Sequence, residues 1–94
     1  MKVRWSPAAV EDFLRIVEYI HRESPDAAHR IAKTIHEGAG LLKLFPHRGR
    51  QGRMDGTREL LLLPLPFIIV YRVKSDAVEI ANIVHGAQRW PPQS

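Results

Sequence analysis

Proton transfer near neutral pH calls on histidine, because arginine does not give up its proton. The chain holds five histidines. His85 closes the last apolar run of the sequence and is the best-placed candidate, with Arg58, Arg72 and Arg89 as sources of positive charge. Such a set could pair proton transfer with cationic stabilisation of developing negative charge. His85 fits equally well as a half-buried strand residue bonded to backbone. His29 and His36 share a helix face with Lys33 and read, like His21, as solvated surface; His47 opens a basic loop and fits a plain turn residue. No two histidines stand at i,i+4 on one helix and there is no cysteine, so neither a metal site nor a cofactor is expected.

The second group with chemical character is that basic loop, His47-Arg48-Gly49-Arg50-Gln51-Gly52-Arg53-Met54-Asp55-Gly56, followed by Arg58. Loops this long inside compact domains are uncommon and, when ordered, tend to be functional. It carries most of an excess charge of +4, and a sequence pI near 10.0 favours anionic partners. No zinc finger, paired aromatic RNA-binding motif or recognition helix accompanies it, so base reading is not indicated.

The elements that must position these residues are legible in order. Residues 57–85 read as three short strands, 57–63, 67–74 and 77–85, rich in β-branched and aromatic side chains. Leu63-Pro64-Leu65-Pro66 breaks the first from the second, since proline has no amide hydrogen for a ladder. Ser75-Asp76 makes a polar turn between the second and third. Residues 1–5 suit an edge strand. Ser6-Pro7 and Ser24-Pro25 each pair an N-cap with a proline at the first helical position, which predicts helices over 7–23 and 25–45. Trp5 and Val10 stand at the positions of a hydrophobic staple. The apolar stripe expected for the first helix is Val10, Phe13, Leu14, Val17 and Ile20; for the second, Ala28, Ile31, Ile35, Ala39, Leu42 and Phe45. The expected fold is α+β: an N-terminal helical hairpin on a three- to four-stranded antiparallel sheet, with a basic loop at 46–56 and a tail at 86–94.

A chain of 94 residues with 45% hydrophobic content makes one domain with one core. Acidic residues interrupt the N-terminus before any long apolar run, and no window reaches the length of a membrane span, so the expected location is the cytoplasm, without membrane contact. The strand from Phe67 to Val73 is apolar on both faces, with Ile68 and Val70 on the second. A sheet with helices on one side only should alternate more cleanly, so either the chain's own tail or a partner is expected to cover that second face.

The motif Val3-x-Trp5-Ser6-Pro7-x-Ala9-x-x-Asp12, the Arg/Gly loop ending Gly56-Thr57-Arg58-Glu59-Leu60, the strand Phe67-Ile68-Ile69-Val70-Tyr71-Arg72-Val73 and the ending Val84-His85-Gly86-Ala87-Gln88-Arg89-Trp90-Pro91 together resemble the RelE/ParE superfamily of type II toxin–antitoxin pairs. The resemblance spans nearly the whole chain. It implies a cognate antitoxin that wraps the toxin in a hetero-oligomer, with Ile68, Val70 and Arg72 as antitoxin-binding residues. It also implies a target surface, carried here onto Arg48, Arg50, Arg53, Arg58, Arg72, Arg89 and Trp90.

The superfamily's RelE-like branch cleaves messenger RNA on the ribosome without metal, and its ParE-like branch blocks DNA gyrase. Many RelE-like members place an arginine in the slot that Ile68 fills, and the tyrosine- or histidine-rich ending of several cleaving members is replaced by Trp90 and prolines. The ParE-like branch is therefore favoured, with inhibition by binding to gyrase. The alternative is a ribosome-dependent endoribonuclease using His85 with Arg58 and Arg89.

Overall fold

In the computed structural model, which describes residues 1–91, the chain runs β1 (Lys2–Trp5), α1 (Pro7–Glu23), α2 (Pro25–Leu41), β2 (Arg50–Gln51), β3 (Arg58–Leu61), β4 (Phe67–Val73) and β5 (Ala77–His85). Both helices start as the Ser-Pro pairs dictate: the Ser6 hydroxyl accepts from the Ala9 amide at 3.0 Å and the Ser24 hydroxyl from the Ala27 amide at 3.1 Å. Ser24 also ends α1, its amide donating to the Ile20 carbonyl, so one residue closes one helix and opens the next.

The sheet has five strands in the order β1-β5-β4-β3-β2. This corrects the expected three or four antiparallel strands in two respects. Lys2–Trp5 form an edge strand, but it runs parallel to β5, which makes the sheet mixed. The opposite edge is gained from the basic loop, where Arg50 and Gln51 pair antiparallel with Glu59 and Arg58. The second helix stops at Leu41 instead of 45; the chain leaves it through turns at 42–44, and Phe45 is exposed. Of the expected tail, residues 92–94 lie outside the described residues.

The helices cover one face of the sheet. Ala9, Ile35, Ala39 and Leu42 meet Leu60, Ile69, Tyr71, Val78 and Ile80 in the main core. The inward stripe of α1 is Ala9, Phe13, Ile16 and Ile20, a different phase from the one expected, and Val10 and Leu14 point to solvent at 42% and 58% exposure. Trp5 meets Phe13 edge-on at 5.6 Å. Gly38 lets α2 approach the sheet, since a Cβ there would stand 2.8 Å from Leu62 Cδ2.

The Trp-Ser-Pro-x-Ala-x-x-Asp motif is a clasp between α1 and β5. Val70 pairs with Asn82 but Tyr71 with Ile80, so Ala81 is an extra residue in β5. Such a bulge leaves backbone groups without ladder partners, and α1 supplies them. The Ser6 hydroxyl donates to the Ala81 carbonyl at 2.8 Å, and Asp12 Oδ2 accepts from the Ile83 amide at 3.0 Å and from Asn82 Nδ2 at 2.9 Å. Asp12 Oδ1 meets Arg15 Nη2 at 2.8 Å.

Candidate functional site

The basic loop is a built hairpin. Arg50 and Gln51 pair with Glu59 and Arg58, the Gly52 amide donates to the Thr57 carbonyl at 2.8 Å, and the Thr57 hydroxyl donates to the Met54 carbonyl at 2.6 Å. Two buried side chains hold it from beneath. The Tyr71 hydroxyl donates to the Pro46 carbonyl and accepts from the Gly49 amide, both at 2.8 Å. Gly49 has no room for a side chain, because a Cβ would lie 2.7 Å from that hydroxyl. Burial pushes the Tyr71 phenol above its ordinary 10.0, with the Gly49 amide and the charges of Arg58 and Arg48 opposing.

The other anchor is Glu59, 1% exposed on a strand whose neighbours are leucines. Its Oε1 accepts from Arg50 Nη2 at 2.9 Å and Nε at 3.3 Å; its Oε2 accepts from the Arg53 amide at 3.1 Å; Arg53 Nε stands 3.8 Å from Oε1. Burial alone would raise the carboxyl pKa. The Arg53 amide, the Arg50 guanidinium and the two positive charges outweigh it, and the group titrates below its ordinary 4.5.

Above Glu59 the hairpin meets the tail. Arg53 Nη1 donates to the Trp90 carbonyl at 3.1 Å. The Trp90 ring packs on the sheet face opposite the helices, over Ile68, Val70 and Val84, with Leu61 and Ala81 beside it. Ile68 and Val70, at 6% and 0% exposure, are thus buried by the chain's own tail and offer no open apolar surface. The second face on which Ile68, Val70 and Arg72 were expected to receive an antitoxin thus carries Trp90 in the chain by itself. The Trp90 indole N–H is itself buried and has no acceptor among the described residues.

The expected arginines divide into two sets. Arg50, Arg53 and Arg58 are tied inward, Arg58 Nη1 donating to the Gly49 carbonyl at 2.8 Å and the His47 carbonyl at 3.3 Å. Arg48 and Arg89 are exposed and Arg72 half-buried, none with a side-chain hydrogen bond or ion pair among the described residues. Arg72 follows Ile68 and Val70 on the outer face by strand alternation. Arg50 and Arg53 keep 51% and 44% of their side chains exposed, so Glu59 fixes them without hiding them.

His85 stands apart from Arg58. It pairs with Phe67 at one end of β4, and Arg58 pairs with Tyr71 four residues along. Its ring meets Phe67 edge-on at 5.6 Å, and its Nδ1 accepts from the Ala87 amide at 3.0 Å. It lines an apolar groove of about 480 Å³ between the helices and the start of β4, with Ile16, Tyr19, Ile20, Ile31 and Phe67. Among the described residues no three His, Asp or Glu side chains gather in a way that could hold a metal ion, and no helix is long and apolar enough to cross a membrane.

Glu59, Tyr71 and the groove carry no sequence pattern that marks them as functional. A lone acid within Arg-Glu-Leu-Leu was the available sign for Glu59, since a carboxylate amid strand leucines needs partners.

Comparison with known proteins gives a consistent set. Residues 3–90 match the family described as ParE toxin of type II toxin–antitoxin system, parDE. The chain is 40% identical over 90 residues to Y4kP of Sinorhizobium fredii, covering 96% of this chain and 93% of that protein. It is 37% identical over 87 residues to toxin RelE2 of Caulobacter vibrioides, covering 93% and 97%. Its fold is similar to that of a chain in the chromosomal ParDE toxin–antitoxin system of P. aeruginosa, with a TM-score of 0.81, 27% identity, and coverage of 90% and 95%.

Proposed function

The chain belongs to the ParE toxin family of type II toxin–antitoxin systems, and from that premise we propose that it arrests growth by binding its target, DNA gyrase, and is held inactive by a cognate antitoxin. The observation that carries a binding mechanism is the outer face of the sheet. In the slot where cleaving relatives place an arginine, Ile68 is buried under Trp90. His85 pairs with Phe67 at one end of β4 and Arg58 with Tyr71 four residues along, too dispersed to act on one phosphate. What the surface does offer is Arg50 and Arg53 held on Glu59, with Arg53 joined to the Trp90 carbonyl, residue types enriched at binding hot spots.

The antitoxin's seat is better supplied by the groove lined by Ile16, Tyr19, Ile20 and Phe67 than by Ile68 and Val70. Tyr19 is 68% exposed at its rim, so Tyr19→Asp should weaken antitoxin capture while the toxin still folds. Copurification that survives this change would remove the groove from the interface. The target is tested by adding purified toxin to a gyrase supercoiling reaction. Supercoiling is expected to fall with added toxin; undiminished activity at large molar excess would reject gyrase.

A second reading rests on the relative named RelE2. A ribosome-dependent endoribonuclease using His85 would cut message in a translating extract and lose that activity in His85→Ala. Intact message throughout would eliminate it.

A further inference from the structure

We propose that Glu59 is the positioning residue of the target-binding surface, and that through Arg53 it fastens the tail's Trp90 to the basic hairpin so that the two segments act as one recognition unit. The inference rests on the binding reading above and adds how that surface is assembled.

Glu59 sits in an outer-face position of β3, directly opposite Val70 and two residues before Leu61. An aliphatic side chain there would extend the apolar bed on which Trp90 lies. A buried carboxylate is a poor way to gain stability, since well-packed apolar substitutes are often neutral or better. What a carboxylate does and an aliphatic group cannot is accept from the Arg50 guanidinium and the Arg53 amide at once, with the Arg53 guanidinium held 3.8 Å away.

Arg53 is the shared element. Its amide and Nε face Glu59, and its Nη1 reaches the Trp90 carbonyl at 3.1 Å. Residues 53 and 90 are far apart in sequence, so their geometry depends on this clasp. Restricting a rotamer-rich side chain before binding lowers the ordering cost of association. Arg53 then stands beside Trp90 and shares the Glu59 carboxylate with Arg50, an arrangement suited to an acidic patch on a protein partner with an apolar centre.

The test uses Trp90 as its own reporter. Trp5 is the other tryptophan, so Trp5→Phe leaves one indole and keeps an aromatic ring against Phe13. Quenching by acrylamide, which is neutral and indifferent to arginine removal, reads the shielding of Trp90. Shielding should be strong in this parent, lost in Glu59→Gln and in Arg53→Ala, and retained in Arg48→Ala. A shielded Trp90 in Glu59→Gln or Arg53→Ala, with native circular dichroism, would overturn the proposal, as would an accessible Trp90 in the parent.

The same variants in the supercoiling reaction should lose potency as Trp90→Ala does; full potency in Glu59→Gln would overturn the positioning role. If the parent leaves gyrase untouched, the choice of target fails while the quenching result still decides the clasp.

Discussion

Two carboxylates in this chain do similar work at opposite faces of the sheet. Asp12 gathers the Ile83 amide, Asn82 and Arg15; Glu59 gathers Arg50 and the amide and guanidinium of Arg53. The difference lies in where the donors lead. Two of the donors on Asp12 belong to the β5 bulge, and the network closes on the fold itself. The donors on Glu59 are arginines whose far sides remain in solvent, and one of them, Arg53, also reaches the tail. The first carboxylate completes a structure and the second displays one. The motif most distinctive in sequence is thus the scaffold, and the residue that organises the surface lies in a plain strand.

The largest effect should come from breaking the scaffold clasp. Asp12→Ala leaves the bulge amide of Ile83 and the Asn82 side chain without their acceptor, and hydrogen bonds to a charged group contribute about 1.5–3 kcal/mol each. A loss of about 3 kcal/mol in urea denaturation is expected. An unchanged midpoint would mean that water replaces the carboxylate.

Glu59→Gln comes next, at about 2 kcal/mol near neutral pH, because the amide keeps an acceptor but loses the charge. It also has a signature in pH. The folded carboxyl titrates below its ordinary 4.5, so folding favours the ionised form. The stabilisation is present above 4.5 and is lost as pH falls through the folded value. Wild type should therefore lose more stability than Glu59→Gln below about pH 4.5. Parallel profiles would show that Glu59 gains nothing from its arginines.

Tyr71→Phe is smaller. It deprives the Gly49 amide of its acceptor and the Pro46 carbonyl of a donor, for about 1–2 kcal/mol. Its loss should appear as faster amide exchange at Gly49 with little change in the main core. Uniform exchange across the sheet would contradict a local role.

The fold was readable because its signals are local. Ser6-Pro7 and Ser24-Pro25 mark helix starts without tertiary help, and β-branched runs mark β4 and β5. What was misread depends on distant contacts. The phase of α1 turns on Ala9, whose small side chain lets the helix sit against the sheet; pattern reading weighted the bulkier Val10 and Leu14, which face solvent. Residues 1–5 carry no sign of strand direction, so the parallel pairing with β5 was not visible. The pairing of Arg50 with Glu59 looks, in sequence, like a charged loop followed by a strand. Trp90 has no periodic context, so its place over Ile68 and Val70 could be foreseen only as one of two possible covers.

Arg48 gives the sharpest contrast with Asp12. It is exposed and makes no side-chain hydrogen bond or ion pair among the described residues, so Arg48→Ala should leave the denaturation midpoint unchanged. It nevertheless stands beside Gly49, which Tyr71 pins in place, so its charge is carried at a fixed point of the surface. Removing a rim charge of this kind lowers the association rate and its dependence on salt more than it speeds dissociation. With gyrase as the proposed target, association of Arg48→Ala should therefore slow most at low ionic strength and approach wild type as salt rises. Equal rates at low salt would place Arg48 outside the encounter surface and leave the outward display to Arg50, Arg53 and Trp90.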